Sequence, residues 1–586
     1  MTHLAGAVAG AVLLLAAAMA NDAGPAEAAA PALEIHPAVR LALNARGDLF
    51  FEVRAAPGDG WTHLAHRFGT SAAAADGALI ARLNGGGTPR AHQFYRVPYA
   101  LLRDEFRILG LAALFPEDVA DATGWRHRVG TARLPLGEES LYRLAFWFTG
   151  DGENFRAIMA ANRLADPGLA AGQEILIPDA LLAPAFRMPS RPAPPALEFG
   201  RDAQGEYALW RLRPGDTLAG TVVPRFTDRV DPGDVERMAR RIATRTGIAN
   251  PDTVQAGRAV LIPLSDVAVE HLPARDPRRV RLEMDRLLAS RYPSTPRGPR
   301  LEGLLVILDP GHGGVDIGAH HHGVWEDDVV YDIALRVQRL LNQKSAARVR
   351  LTVLDRSQGE KPYDGPFLSI DRDEAVQTHP PLVAADGPGR AAAVQLRGHL
   401  ASALLAEAVR AGGDDEQVVF LSLHADALHR DVRGAMVYVP GERFRRASYG
   451  LDPARWRRYS EVRAAPVLQE DRATRLRSEG LSRRLAGHLI RAFAAAGWPV
   501  HANVPIRDHV VRDGHSWLPA VLRGNEVPTK VLIEVANVAN RADAALLADP
   551  AQRERVAGAV VAALIAAFAG SAEPAVTAEV AHPRLS

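Results

Sequence analysis

LLVILDPGHGG, residues 304–314, opens with five apolar residues and breaks into Asp309-Pro310-Gly311-His312. A short, continuous apolar run suits a strand buried on both faces, and the proline and glycines that follow end it. Similar runs recur at Val349–Leu354, Val418–Leu423, Ala435–Val439 and Val531–Ile533. Val329, Val330, Ile333, Ala334, Val337, Leu340 and Leu341 keep helical spacing, as do Leu481, Leu485, Leu489 and Phe493. The alternation predicts an α/β fold with a mainly parallel sheet flanked by helices. In such sheets ligands collect at the carboxyl ends of the strands.

Three of these runs end in side chains that bind a cation or move a proton: His312 after the first, His424 after the third and Glu534 after the last. Glu326 lies fourteen residues beyond His312, at the start of the helical stretch WEDDVVYDIAL, where a helix N-terminus tolerates negative charge. Two neutral imidazoles and a carboxylate form a set that zinc accepts in hydrolytic sites, with one position left for water. Zinc lowers the pKa of such a water to roughly 7. A nearby carboxylate must then carry its proton to the leaving amine, and Glu534 is the candidate. From spacing alone the same residues also serve as helix caps and strand-end turn formers, and both readings stand. His320-His321-His322 is expected to be an exposed polar run in a loop rather than a metal site.

The chain's 586 residues, 47% of them apolar, exceed a single hydrophobic core and predict several domains. Its formal net charge of +1 supplies no field toward nucleic acid, which is not expected as a partner. The absence of cysteine excludes disulfides and thiolate chemistry and leaves any metal to His and carboxylates. Residues 1–20 carry an apolar stretch from Leu4 to Met19 and a small-residue pattern, Ala18-Met19-Ala20, and read as a signal peptide. That stretch is short and Ala-rich for spanning ~30 Å of hydrocarbon. The expectation is a periplasmic or otherwise extracytoplasmic protein without stable membrane insertion.

Proline-rich stretches at Ala183–Pro195 and Pro293–Pro299 read as linkers between a front and a back half. In the front half a turn, an apolar helix, an Asn and an apolar strand closing in Pro occur three times. The clearest copy runs from Gly137-Glu138-Glu139-Ser140-Leu141 through IMAAN, 158–162, to Gly172-Gln173-Glu174-Ile175-Leu176-Ile177-Pro178. It resembles a LysM domain, a small glycan-binding module. The third copy opens at Arg213-Pro214-Gly215-Asp216 and closes at Val260-Leu261-Ile262-Pro263, and the first runs weakly from Pro57-Gly58-Asp59 to Val97-Pro98. The resemblance implies binding of N-acetylglucosamine-containing glycans; the alternative is βααβ spacers that have lost the sugar groove.

The back half is similar to the zinc-dependent N-acetylmuramoyl-L-alanine amidases in three blocks: Leu308–Gly314 with Asp316, Gly318 and Glu326; Ser422–Ala427; and Leu532-Ile533-Glu534 with Asn540. The resemblance implies His312, Glu326 and His424 as zinc ligands and Glu534 as catalytic glutamate. The bond cut would be the amide between N-acetylmuramic acid and L-Ala of peptidoglycan. Alternatives are a catalytically silent peptidoglycan-binding protein and a zinc peptidase acting within the stem peptide. Asn537 and Ala539 depart from the family pattern, and altered packing is expected there. The long spacer from Arg356 to His424 holds two turn-rich segments, Asp364-Gly365-Pro366 and Asp386-Gly387-Pro388-Gly389, expected as loops. The arginine-dense segment 441–477 is expected as solvated surface. In division-associated members of the family a segment in this part folds over the zinc until an activator protein displaces it, and Glu461 or Glu470 would be the capping acid. The expected organisation is a signal peptide over 1–20, LysM-like modules over 50–102, 126–182 and 206–264, and a linker over 265–300. A zinc amidase catalytic domain over 301–569 and a disordered tail over 570–586 follow.

Overall fold

The computed structural model describes residues 31–569 apart from 45–46, 57–58, 70–73, 137–138, 188–196, 291–296, 299, 315, 366–371 and 384–389. The expected signal peptide, the tail, Pro57-Gly58, Gly137-Glu138 and the turn Asp386–Gly389 lie outside the described residues. The described residues divide into two compact units, one holding those before Leu197 with Val269–Leu288, the other Leu197–Ala268 with those from Ala289 to Ala569.

In the first unit, strands Ala32–His36, Val39–Leu43, Leu49–Arg54 and Phe94–Pro98 form an antiparallel sheet, with helices Trp61–Phe68 and Ala74–Leu83 between the last two strands. The second sheet repeats that plan. Strands Val119–Asp121, Gly124–Arg128 and Glu174–Pro178 enclose helices Leu141–Thr149 and Phe155–Asn162. Asn162, part of the motif read from sequence, ties helix to strand by donating to Leu176 O at 2.7 Å and accepting from Leu176 N at 2.8 Å. The stretch 265–300 is not simply a linker. It contains helix Pro277–Ser290, whose Val280, Met284 and Leu288 recur every four residues and are buried in the first unit's core, while Asp285 pairs with His36 at 2.6 Å. The proline-rich flank had masked that apolar stripe.

The third βααβ copy belongs to the other unit, which corrects its placement with the front half. Strands Glu198–Asp202, Gly205–Arg211 and Ala259–Pro263 pair antiparallel and carry helix Pro232–Thr246. The remainder of this unit is built on a six-stranded sheet ordered 348–351, 305–310, 418–424, 529–534, 436–438, 506–507. Alternate strand residues face opposite layers. Val306, Leu308, Leu421 and Ile533 are buried under helices Glu326–Lys344, Arg472–Ala495 and Pro550–Phe568, whereas Ile307, Phe420 and Leu532 cluster with Ala401 and Ala408 of helix Arg390–Arg410. That 21-residue helix fills part of the spacer expected to be turn-rich.

The first four strands are parallel, but Met436–Tyr438 runs antiparallel to Thr529–Glu534. The short segment after His424 contains no crossover helix to return the chain to the opposite edge, so the next strand starts where the last one ended. Among the described residues no helix is long and apolar enough to cross a membrane.

Buried His127 lies 3.0 Å from Asp118 and 2.8 Å from Glu139. Burial opposes its charge, but hydrogen bonds to the two carboxylates outweigh it and push the imidazole up to about 9. Because this folded-state value exceeds the unfolded one near 6.5, the stabilisation is present in full below about pH 6.5 and is lost as pH rises through about 9. Urea unfolding of the first unit should therefore show stability falling across that window by at most about 3 kcal/mol. His127→Gln should flatten the fall.

Candidate metal centre

Strands Leu305–Pro310, Val418–His424 and Thr529–Glu534 are sheet neighbours whose register sets Pro310 beside Leu423 and His424 beside Glu534. Their parallel alignment carries His312, His424 and Glu534 to one edge. The hairpin pairing His320-His321 with Val324-Trp325 then delivers Glu326 as the first residue of helix Glu326–Lys344.

Glu326 Oε1 lies 3.2 Å from His312 Nε2 and 3.1 Å from His424 Nδ1. Two ligands bound to a tetrahedral zinc at about 2.0–2.1 Å stand roughly 3.3 Å apart, so the donor set and its spacing fit zinc. The carboxylate is anchored from behind, because Oε1 accepts from Ala425 N at 2.9 Å and Oε2 from Ala319 N at 2.7 Å. Glu326 is buried, whereas His312 and His424 are 23% and 14% exposed, so the set opens to solvent on its imidazole side. Gly311 is required here: a Cβ at this position would come within 2.5 Å of the His424 ring.

Asp309 and Arg397 hold the loop beneath. Asp309 receives the hydroxyls of Thr352 and Ser422, and buried Arg397 donates to Pro310 O at 2.8 Å. Arg397 had no signal in the sequence, since it lies 87 residues from its acceptor on the unforeseen helix.

The electrostatics follow from carboxylates crowded in a buried place. Burial alone would raise Glu326, but the His312 and His424 imidazoles hold it well below the usual carboxylate range. Burial opposes charge on His312 as well, yet the Glu326 and Asp316 carboxylates push it up to about 10. Glu534 accepts from Asp426 N at 2.8 Å, and burial, then the Asp426 and Glu326 charges, push it well above its ordinary value. A carboxyl so placed keeps its proton to higher pH than an ordinary glutamate. A second carboxylate group, Asp327, Asp328 and Glu374, lies alongside. Glu374 accepts from Gly314 N at 2.6 Å, and burial followed by the Asp328 charge pushes Asp327 up to about 8.

The exposed His320, His321 and His322 stand apart from the imidazole–carboxylate cluster, with His320 stacked on Trp325 at 3.8 Å. The capping acids expected in the arginine-dense segment are engaged elsewhere. Glu461 accepts from His379 N at 3.1 Å, and Glu470 pairs with Arg445 and with Lys530 Nζ at 3.3 Å. Arg443, Arg446, Arg455, Arg457 and Arg458 are exposed, but Arg445 is buried. By contacting both Arg445 and Lys530, Glu470 ties the segment to the central strand, while burial, then Arg445, drives Lys530 well below the usual lysine range.

Asn537 does more than alter packing. Its Oδ1 accepts from Leu428 N and Ala539 N at 3.0 Å each, and its Nδ2 donates to His429 O at 3.0 Å and Val432 O at 2.7 Å. This clasp fixes the segment that follows His424.

Residues 306–566 match the family model of N-acetylmuramoyl-L-alanine amidases, and residues 138–178 match that of the LysM domain. An uncharacterized cell wall amidase of Bacillus anthracis is 27% identical over 267 residues, 45% of this chain. The chain spans only 35% of that relative's length. Among solved structures, an N-acetylmuramyl-L-alanine amidase of Mycobacterium smegmatis is 18% identical, covering 46% of this chain and 100% of its own, with a TM-score of 0.29. The catalytic domain of an amidase from Bacillus (Paenibacillus) polymyxa is 20% identical over 44% of this chain and 96% of its own, with a TM-score of 0.26.

Asn537→Ala would remove the side-chain partner of Leu428 N, Val432 O and Ala539 N, while His429 O keeps its bond from Val432 N, so thermal unfolding should show a loss of about 2–4 kcal/mol. A loss below about 0.5 kcal/mol would mean that the clasp does not hold the segment.

Proposed function

We propose that residues 301–569 are a zinc-dependent N-acetylmuramoyl-L-alanine amidase, with His312, Glu326 and His424 holding the metal and Glu534 as the catalytic carboxylate. The observation that carries this reading is the placement of Glu326 Oε1 3.2 and 3.1 Å from the two imidazoles, with Glu534 register-paired to His424.

Zinc held there would supply a Lewis acid for the scissile carbonyl and a water of lowered pKa. Glu534 takes a proton from the attacking water and hands it to the departing nitrogen of L-Ala, and its raised pKa suits both halves of that transfer. The Asp426 N–H bonded to Glu534 keeps the carboxylate aimed.

Peptidoglycan is the proposed substrate. Modules 50–102 and 126–182 would hold its glycan and raise the local concentration of cleavable stems. The same reading proposes action on the extracytoplasmic side, with residues 1–20 as the export signal. An activator protein would act here other than by displacing Glu461 or Glu470, because both acids are paired away from the metal ligands.

Peptidoglycan digested by the zinc-loaded protein should yield stem peptides beginning at L-Ala by mass spectrometry, and a chelator should abolish them. Glu534→Gln should lower the rate by about 10²–10⁴-fold while one zinc per chain is retained. His424→Ala should lose the zinc itself. Fragments cut inside the stem, or no products at all, would contradict the reading.

A further inference from the structure

The third module is braced against the segments that frame the candidate site. Val230 clusters with Leu428, Val432 and Met436, and Met436 is the register partner of Glu534. Val230 O accepts from His429 N at 2.8 Å, so the module supports the stretch just after His424. It also grips the hairpin of Val510–Arg512 and His515–Trp517. Gly514 N donates to Asp234 at 3.2 Å, Arg237 pairs with Asp513 at 3.1 Å, and Arg512 Nε pairs with Asp231 Oδ2 at 3.0 Å.

Asp231 divides its work between two oxygens. Oδ1 caps helix Pro232–Thr246 by accepting from Gly233 N and Asp234 N, which leaves Oδ2 for Arg512. Arg512 is 46% exposed, and among the described residues nothing accepts a hydrogen bond from its Nη1 or Nη2. The hairpin thus presents two free guanidinium nitrogens where Asp231 holds it, one residue from Val230, which bonds the segment after His424 and packs on Met436, the register partner of Glu534.

We propose that Arg512 receives a carboxylate of the stem peptide and determines specificity for it, and that Asp231 of the third module is the positioning residue that aims it. The proposal rests on the amidase reading and deepens it. A stem peptide that carries a carboxylate on the residue after L-Ala approaches a site whose own groups are anionic. A guanidinium held by Nε presents its remaining fork to that carboxylate in the geometry of a bidentate pair. Fixing the side chain in advance removes part of the ordering cost of binding. The third module is then part of the catalytic unit's substrate wall.

The test uses the zinc-loaded full chain and two disaccharide-tetrapeptide fragments of peptidoglycan that differ only in a carboxylate or a carboxamide on the second stem residue. The wild type should favour the carboxylate by about tenfold in kcat/KM. Arg512→Gln should cleave both fragments alike. Asp231→Asn keeps an oxygen for the helix cap but loses the ion pair. It should raise KM for the carboxylate fragment alone, whereas general damage to the fold would lower turnover of both. Equal cleavage of the two fragments by the wild type, or an undiminished preference in Arg512→Gln, would overturn the inference. Failure of the wild type to cleave either fragment would instead overturn the amidase reading, and this proposal with it.

Discussion

Parallel pairing of three buried strands is the constraint on which the site depends. Leu305–Pro310, Val418–His424 and Thr529–Glu534 have continuous apolar interiors, so polar side chains collect at their ends, and parallel alignment places those ends together. With His424 in register with Glu534, the proposed ligand and the proposed proton carrier are set side by side by backbone hydrogen bonds alone. A slip of one residue in this pairing would turn each side chain to the opposite face and separate the two. The glycine at 311 allows the neighbouring loop to close over the His424 ring, and Asn537 fastens the chain on the other side.

The legible part of this arrangement is local. Apolar runs ending abruptly in His or Glu show both the strands and the residues at their tips. The role of Glu326 came from family resemblance, since nothing in its spacing requires that a helix N-terminus fall between two imidazoles. The prolines adjacent to helix Pro277–Ser290 read as a linker, although its four-residue apolar repeat is present in the sequence. Met436–Tyr438 reads as a buried strand, but its direction depends on the missing crossover helix.

The unforeseen contacts are those made over long sequence separations. Arg397 reaches Pro310 across 87 residues, Asn537 reaches His429 across 108, and Arg512 reaches Asp231 across 281. No periodicity or motif encodes such pairs, because their value arises only when two elements are brought together. The arginine-dense segment makes the same point. Six of its arginines are exposed as composition suggests, while Arg475 is buried and Arg445 is buried with Glu470 near the equally buried Lys530. Whether an arginine is solvated or structural depends on what lies behind it.

The proposed zinc site consists of two imidazoles and one carboxylate at the carboxyl edge of the sheet, holding a single ion. Diffraction from zinc-loaded crystals on either side of the zinc absorption edge tests it most directly. The predicted result is one anomalous peak about 2.0–2.2 Å from an imidazole nitrogen of His312, a carboxylate oxygen of Glu326 and an imidazole nitrogen of His424. A peak held instead by Asp327, Asp328 and Glu374, or no ordered peak at the imidazoles, would contradict it.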